Sequence, residues 1–296
     1  MMNRKGISYQ GETRVLDDAA RVQAPGKFAS LPDGMTHYEL AGPPDGQPVV
    51  LVHGFSTPAI IWNPNFNALA AAGFCALRFD LYGRGFSDRP ECEYDADLFD
   101  CQLLNLLDVL KIDRAVDLVG LSMGGAISVV FADRHPERVR RLCLLDPAGL
   151  PLAKLKLASW LARRTPLGGW LMKLTDSPLL VSAAAGVMER TKFRDLVGGY
   201  LLQAQFCGYR RALLATIRSG LVTAAEESYR RVGERGTPAM LIWGRKDQTV
   251  PFRMSARVRE LMPAIEFHAV DGAGHTPLYE KPDIANPLLE EFLGRE

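Results

Sequence analysis

The stretch Gly120-Leu121-Ser122-Met123-Gly124-Gly125-Ala126 decides the fold of this 296-residue chain. It follows the apolar run 115–119 and begins a helical pattern that extends over 123–134. A GxSxG turn between a strand and a helix holds its serine in a strained conformation with the hydroxyl above the sheet. Glycines fit on both sides because a Cβ would crowd the turn. The stretch therefore predicts a nucleophile elbow around Ser122.

A serine hydroxyl needs a histidine that takes its proton, and His275 is the candidate. It follows the loop 271–274 after the last predicted strand, where two glycines allow the imidazole to reach the carboxyl edge of the sheet. The other four histidines have simpler structural interpretations and are His37, His53, His135 and His268. We therefore expect His275 to be the general base.

Two aspartates are candidates for the acid that orients this histidine. Asp247 follows the predicted strand 239–243 and lies between the serine and the histidine in chain order. Asp146 also ends a strand and is the alternative, with a loop-capping role otherwise. The chain order favours Asp247. Asp80, before a glycine-rich loop, is expected to be structural and to accept backbone N–H groups.

Stabilising an oxyanion requires two backbone amides that point at one position. The amide of Met123, directly after the serine, is the first candidate. The second is the amide of Phe55, in the loop after the predicted strand 49–52. We expect the His53 side chain to hold this loop in place.

Short apolar runs that alternate with helical patterns predict an α/β fold with a mostly parallel, doubly wound sheet. The predicted buried strands are 49–52, 76–79, 116–119, 142–145, 239–243 and 265–270. The predicted helices between and after them include 68–73, 98–110, 123–134 and 284–293. Two earlier extended segments, 27–31 and 35–40, are joined by a Pro-Asp-Gly turn and predict an antiparallel hairpin at one edge.

No strand pattern occurs between residues 151 and 233, where helical patterns at 152–164, 168–174 and 206–219 predict an all-helical cap. The core domain would then comprise 1–150 and 234–296, with the cap inserted after the sixth strand. From 151 to 235 the chain carries 14 Lys and Arg against 6 Asp and Glu. The basic helix 152–164 therefore has an alternative interpretation as a helix on a membrane surface.

The composition excludes several classes of function. A net charge of +1 and the absence of nucleic-acid-binding motifs argue against a nucleic-acid partner. Five cysteines without a CxxC pair argue against a disulfide framework or a zinc site. No apolar run is long enough for an integral membrane segment, and no export signal is recognisable, so we expect a cytoplasmic protein. The sequence leaves open whether it forms a homodimer.

Five motifs together resemble the α/β-hydrolase fold superfamily, among its capped, cofactor-free, carboxylesterase-like members. They are HGF at 53–55, FDLYGRGFSDRP at 79–90, GLSMGG at 120–125, WGRKDQTVP at 243–251 and GHTPLYEKP at 274–282. The resemblance implies Ser122 as nucleophile, Asp247 as acid and His275 as base. It also implies an oxyanion hole formed by the amides of Phe55 and Met123, with no metal or organic cofactor.

The expected reaction is hydrolysis of a carboxylic ester of a small hydrophobic substrate through an acyl-enzyme. Aromatic side chains of the predicted cap are candidates for the apolar walls of its pocket, although most are expected to pack inside the cap. The candidate substrate-binding residues are Trp160, Trp170, Phe206 and Tyr209, with Phe193 and Tyr200 as further aromatics.

Three other functions remain open. Relatives that cleave carbon–carbon bonds in ring-fission products often resemble GNSMGG at the elbow and carry tryptophan after the histidine. This chain has Leu121 and Thr276 at those positions. Hydrolysis of an enol-lactone or related lactone would use the same residues, and a ligand receptor on the same scaffold would not turn its ligand over.

Overall fold

Eight strands form one sheet in the computed structural model, which describes residues 11–152, 160 and 194–295. In chain order they are β1 Lys27–Leu31, β2 Gly34–Ala41, β3 Pro48–Val52, β4 Cys75–Phe79, β5 Val116–Leu121, β6 Val139–Leu145, β7 Ala239–Gly244 and β8 Glu266–Val270. The spatial order is β1-β2-β4-β3-β5-β6-β7-β8. The β1–β2 and β2–β4 pairs are antiparallel, and the other pairs are parallel. The predicted sheet, with its hairpin at one edge, is confirmed.

Both faces of this sheet are buried. Val50 and Val52 of β3 belong to one hydrophobic cluster, whereas Val49 and Leu51 belong to another. Because successive side chains of a strand point to opposite faces, the two clusters lie on opposite sides of the sheet. Burial on both sides explains why the central strands read as continuous apolar runs.

Helices cover both faces. In chain order they are α1 Asp18–Arg21, α2 Asn63–Ala71, α3 Ala96–Val109, α4 Met123–Arg134, α5 Arg194–Gln203, α6 Tyr209–Ser219, α7 Glu226–Arg235, α8 Met254–Leu261, α9 Pro277–Glu280 and α10 Pro282–Gly294. Side chains of α3, α4, α7 and α8 join the first cluster, and those of α2 and α10 join the second. The fold is therefore a doubly wound α/β sheet.

The first strand residue of β6 differs from the prediction because polar residues with a specific partner interrupt its apolar pattern. β6 begins at Val139 rather than at residue 142, because two arginines precede its apolar run. Arg140 donates from Nε to Oδ1 of the buried Asp117 on β5 at 2.8 Å. An arginine that pairs across the sheet extends the strand although it breaks the hydrophobic run.

Within the predicted cap range 151–233, the described residues form helices and no named strand. α6 begins at Tyr209 rather than at residue 206, because Gly208, with φ of 90°, precedes it as N-cap. The predicted patterns 152–164 and 168–174 lie outside the described residues, apart from Leu152 and Trp160. The domain boundaries and the membrane-surface alternative therefore stay predictions. In the part of the chain that the structure describes, no helix combines the length and apolarity needed to cross a bilayer.

Candidate active site

Ser122 is the single residue between β5 and α4. Its backbone has φ of 54° and ψ of −117°, a conformation that non-glycine residues rarely adopt. Two backbone hydrogen bonds of 2.9 Å hold it there, from Ser122 N to Leu145 O and from Ala148 N to Ser122 O. The neighbouring strand β6 and the loop that follows it thus hold the strained turn that the sequence predicts.

Glycines 120 and 124 are required by close backbone approach. A Cβ on Gly124 would lie 2.1 Å from the carbonyl oxygen of Val52, and one on Gly120 would lie 2.4 Å from Gly124 O. Both distances are far below van der Waals contact, and backbone atoms do not move aside easily. The elbow therefore packs directly against the end of β3.

We expect Gly124→Ala to lower the free energy of unfolding by about 2 kcal/mol or more, because the added methyl group must displace β3 or α4. Chemical denaturation measures this difference. The matched control is Gly198→Ala in α5, where an added Cβ has no atom within 4 Å. Alanine is the better helix former, so the control is expected to be neutral or slightly stabilising. Equal stability of both variants would contradict the close-packing argument.

His275 connects Ser122 with Asp247. Its Nε2 lies 2.9 Å from Ser122 Oγ, and its Nδ1 lies 2.7 Å from Asp247 Oδ2. The Asp247 side chain is fully buried, and that of His275 is 22% exposed. Asp247 Oδ1 also accepts the backbone N–H groups of Thr249 at 2.8 Å and Val250 at 3.1 Å. Three hydrogen-bond contacts thus surround the Asp247 carboxyl group, and the imidazole has one nitrogen on each partner.

Asp146, the alternative acid of the sequence analysis, lies next to this pair. Its buried carboxyl accepts the Gly244 N–H at 2.9 Å through Oδ1. Burial, together with the nearby Asp247 carboxylate, raises the pKa of Asp146 well above its usual value. Among the described residues, Asp146, Asp247 and His275 form the only group of potential metal ligands. The hydrogen bond from His275 to Asp247 already engages two of the three.

The loop after β3 lies against the serine, as expected for the second side of an oxyanion hole. A Cβ on Gly54 would lie 3.4 Å from Ser122 Cβ. Neither the Phe55 amide nor the Met123 amide donates a hydrogen bond to another residue in the described part of the chain. The role of both N–H groups as the oxyanion hole stays a prediction.

Two buried side chains fix this loop. His53 contacts Gly54 O at 2.8 Å through Nδ1 and accepts Leu81 N–H at 2.9 Å through Nε2. Burial lowers the pKa of His53 to about 4, so the ring is neutral and can do both. Arg84, which the sequence analysis did not single out, donates from Nε to Phe55 O at 2.8 Å. The prediction that His53 ties the loop down is confirmed.

Asp80 has the structural role that the sequence predicts. Its carboxylate accepts the N–H groups of Ala59 at 2.8 Å and Phe86 at 2.9 Å, and it pairs with His37 Nδ1 at 2.8 Å. Burial alone would raise the pKa of Asp80, but its contacts with His37 hold it well below the usual range. Asp80 therefore organises the loops beside the site as an anion.

Glu280 on α9 positions the histidine loop and was missed by the sequence analysis. Its two carboxylate oxygens accept Gly274 N–H at 2.7 Å and Thr276 N–H at 3.0 Å, the amides on both sides of His275. Thr276 Oγ1 donates to the same carboxylate at 3.0 Å. Thr276 and Glu280 are four residues apart, one more than in a capping box, so the pair matches no recognised helix-start pattern.

The candidate substrate-binding aromatics have different surroundings. Trp160 is 49% exposed, and Trp170 and Phe193 lie outside the described residues. Tyr209 is buried, and its hydroxyl donates to Ser56 O at 3.0 Å. Phe206 is buried beside a cavity of about 510 Å³ whose lining includes Asp80 but none of the triad residues. Contact of these aromatics with substrate stays a prediction.

The comparisons with known proteins agree with this geometry. A family model described as the alpha/beta hydrolase family matches residues 49–286. A 2-hydroxy-6-oxononadienedioate/2-hydroxy-6-oxononatrienedioate hydrolase of Paraburkholderia phymatum is 30% identical over 292 residues, covering 92% of this chain and 96% of the relative. A solved meta-cleavage product hydrolase from Pseudomonas fluorescens IP01 matches with a TM-score of 0.70 and 26% identity, over 91% of this chain and 97% of that one. The enol-lactonase from Burkholderia xenovorans LB400 matches with a TM-score of 0.74 and 22% identity, over 91% and 100% of the two chains.

Proposed function

The chain belongs to the α/β-hydrolase family, and we propose that it is a serine hydrolase that forms an acyl-enzyme on Ser122. The observation that carries the proposal is the continuous hydrogen-bond path from Ser122 through His275 to Asp247, with contacts of 2.9 and 2.7 Å. A nucleophile, a base and an orienting acid in this order are what acyl transfer needs. The strained elbow, which presents the serine, supports the same interpretation.

In the proposed reaction, Ser122 Oγ attacks the substrate carbonyl carbon while His275 Nε2 accepts the hydroxyl proton. Asp247 accepts the Nδ1–H of the imidazole and stabilises its positive charge. The amides of Phe55 and Met123 stabilise the oxyanion. His275 then donates the proton to the leaving group, and a water molecule, activated by the same histidine, releases the acid. No residue outside this set has to take part in proton transfer.

For the bond that is cleaved, we propose first a carboxylic ester of a hydrophobic substrate. Leu121, which precedes the nucleophile, is buried within the second hydrophobic cluster and offers no polar atom. Thr276 is engaged by Glu280. The two positions at which carbon–carbon hydrolases often carry asparagine and tryptophan thus have other residues here, and ester hydrolysis requires neither.

Carbon–carbon bond hydrolysis of a ring-fission product is the second candidate, and the relatives favour it over the ester. The Paraburkholderia phymatum relative, which is 30% identical over 92% of this chain, and the solved meta-cleavage product hydrolase, at 26% identity, are both named as hydrolases of such compounds. The triad would be the same, but the leaving group is a carbanion equivalent that must be protonated on carbon. The enol-lactonase shares the fold, and lactone cleavage differs from ester cleavage only in the tethered leaving group.

The test is a direct comparison of kcat/KM for a short aryl ester and for a 2-hydroxy-6-oxo-dienoate, with Ser122→Ala as the blank. If the ester proposal is right, kcat/KM for the ester should exceed that for the dienoate by at least about 100-fold. A site for hydrophobic esters would leave the polar groups of the dienoate without hydrogen-bond partners. The reverse preference would replace the ester by the carbon–carbon candidate. Mass spectrometry of the fluorophosphonate adduct, expected on the Ser122 peptide, tests the acyl-enzyme itself.

A further inference from the structure

Asp146 is a buried carboxyl group next to the triad for which the proposed reaction has no role. It directly follows β6, at the edge of the sheet where Asp247 follows β7. Its backbone φ of 42° is rare outside glycine, and its amide donates to Ile242 O at 3.0 Å. One carboxylate oxygen of Asp146, one of Asp247 and a ring nitrogen of His275 lie within 4.8 Å of one another. The side chain is thus held in a fixed position against the catalytic acid.

Asp247 and Asp146 differ in the number of hydrogen-bond donors around their carboxyl groups. Asp247 has three donors, from the amides of Thr249 and Val250 and from His275. Asp146 has one, the Gly244 amide on Oδ1, and its buried Oδ2 has no donor among the described residues. Two carboxylates at this distance do not both ionise readily in a buried site. The negative charge therefore belongs on Asp247 and the proton on Asp146.

We propose that Asp146 is a neutral carboxylic acid that donates its O–H to Asp247 and acts as a positioning residue for the triad acid. The bond gives the orphaned oxygen of Asp146 a partner and supplies Asp247 with a further donor. The raised pKa of Asp146 agrees with this assignment: the titratable groups that raise it are Asp247 and Glu280, and His275 lies beside the pair. The catalytic part of the inference rests on the proposed serine-hydrolase function.

The first experiment measures the rate at which a fluorophosphonate labels Ser122 between pH 5 and pH 9. In Asp146→Asn, the amide carbonyl can accept the Gly244 N–H while the NH₂ group donates to Asp247, so the neutral acid is imitated without a change of charge. Asp146→Leu has a similar size but no donor. We expect the leucine variant to lose about 10- to 100-fold in rate and its acid limb to move to higher pH, because a less stabilised Asp247 attracts the imidazolium more strongly. The asparagine variant is expected to have the labelling rate and the acid limb of the wild type.

Two outcomes would overturn the proposal. If Asp146 is ionised, Asp146→Asn removes a negative charge close to His275, and the acid limb moves to lower pH by about one unit or more. If Asp146 is itself the acid of the triad, Asp146→Asn loses roughly 10⁴-fold in rate.

A second experiment does not depend on activity. An unfolded aspartate is ionised above about pH 4, whereas folded Asp146 keeps its proton, so the wild type loses stability as pH rises towards the folded pKa. Asp146→Asn lacks this loss. The difference between the two unfolding midpoints, variant minus wild type, is therefore expected to rise from pH 5 to pH 8. A variant-minus-wild-type difference that stays constant or falls over this range would overturn the protonation of Asp146. Wild-type protein that is not labelled on Ser122 would instead refute the serine-hydrolase proposal, while the unfolding measurement still decides on Asp146.

Discussion

Replacing Ser122 by alanine is expected to lower kcat/KM for an aryl ester by roughly 10⁴ to 10⁶ and to abolish labelling by a fluorophosphonate. Ser122 Oγ, 2.9 Å from His275 Nε2, is the atom that would form the covalent bond in the proposed reaction. Without it, His275 and the amides of Phe55 and Met123 can at most activate a water molecule. Alanine keeps the Cβ and tolerates the same backbone, so the loss reflects chemistry and not unfolding.

The matched control is Ser128→Ala, at a second buried serine six residues, about one and two-thirds turns, further along α4. Ser128 Oγ has no hydrogen-bond partner in the described part of the chain, so its removal leaves no group unsatisfied there. This variant is expected to be labelled like the wild type. Labelling that persists in Ser122→Ala, or a loss of turnover below about tenfold, would refute Ser122 as the nucleophile.

The sequence predicted the sheet and the elbow because both depend on local patterns. Strands buried on both faces, such as β3, must be apolar throughout. The elbow needs glycine wherever a Cβ would meet backbone, as at Gly124 against Val52. Such constraints leave few alternative residues, so they can be recognised without knowledge of the fold.

The choice between Asp247 and Asp146 could not be made from spacing alone. Both follow strands that end at the same edge of the sheet, and each can therefore reach the histidine loop. The structure separates them by distance, with Asp247 Oδ2 2.7 Å from His275 Nδ1, and by the number of donors around each carboxyl group. These are tertiary properties that depend on the geometry of three loops.

Arg84 and Glu280 escaped the sequence analysis for a different physical reason. Each acts on backbone atoms of a loop, Arg84 on Phe55 O and Glu280 on the amides that flank His275. Backbone partners carry no side-chain signature, so no complementary residue in the sequence points to the contact. Arg140 escaped for another reason, because its partner is the side chain of Asp117 on the neighbouring strand, and spacing along the chain does not reveal that pairing.

Asp247→Asn is expected to lower kcat by about 10⁴, nearly as much as the loss of the nucleophile, although the change replaces a single oxygen by an NH₂ group. The amides of Thr249 and Val250 both donate to Oδ1, so the carbonyl oxygen of an asparagine would take that place. Its NH₂ group would then face His275 Nδ1, which would have to accept a hydrogen bond. The proton would move to Nε2, and the nitrogen that faces Ser122 could no longer act as a base.

Asp146→Asn makes the same chemical change one strand away and is the matched comparison for this prediction. This variant is expected to keep its activity, because an asparagine at position 146 reproduces the hydrogen bonds of a neutral acid. The Gly244 N–H donates to its oxygen, and its NH₂ group donates to Asp247. Steady-state kcat of the two variants, measured side by side, should therefore differ by at least about 10³. Equal losses would mean that the two carboxyl groups share the task, and a larger loss in Asp146→Asn would exchange their roles. Neither substitution creates a cavity. The comparison therefore tests whether His275 acts as a base only when its Nδ1 donates a hydrogen bond to the residue at position 247.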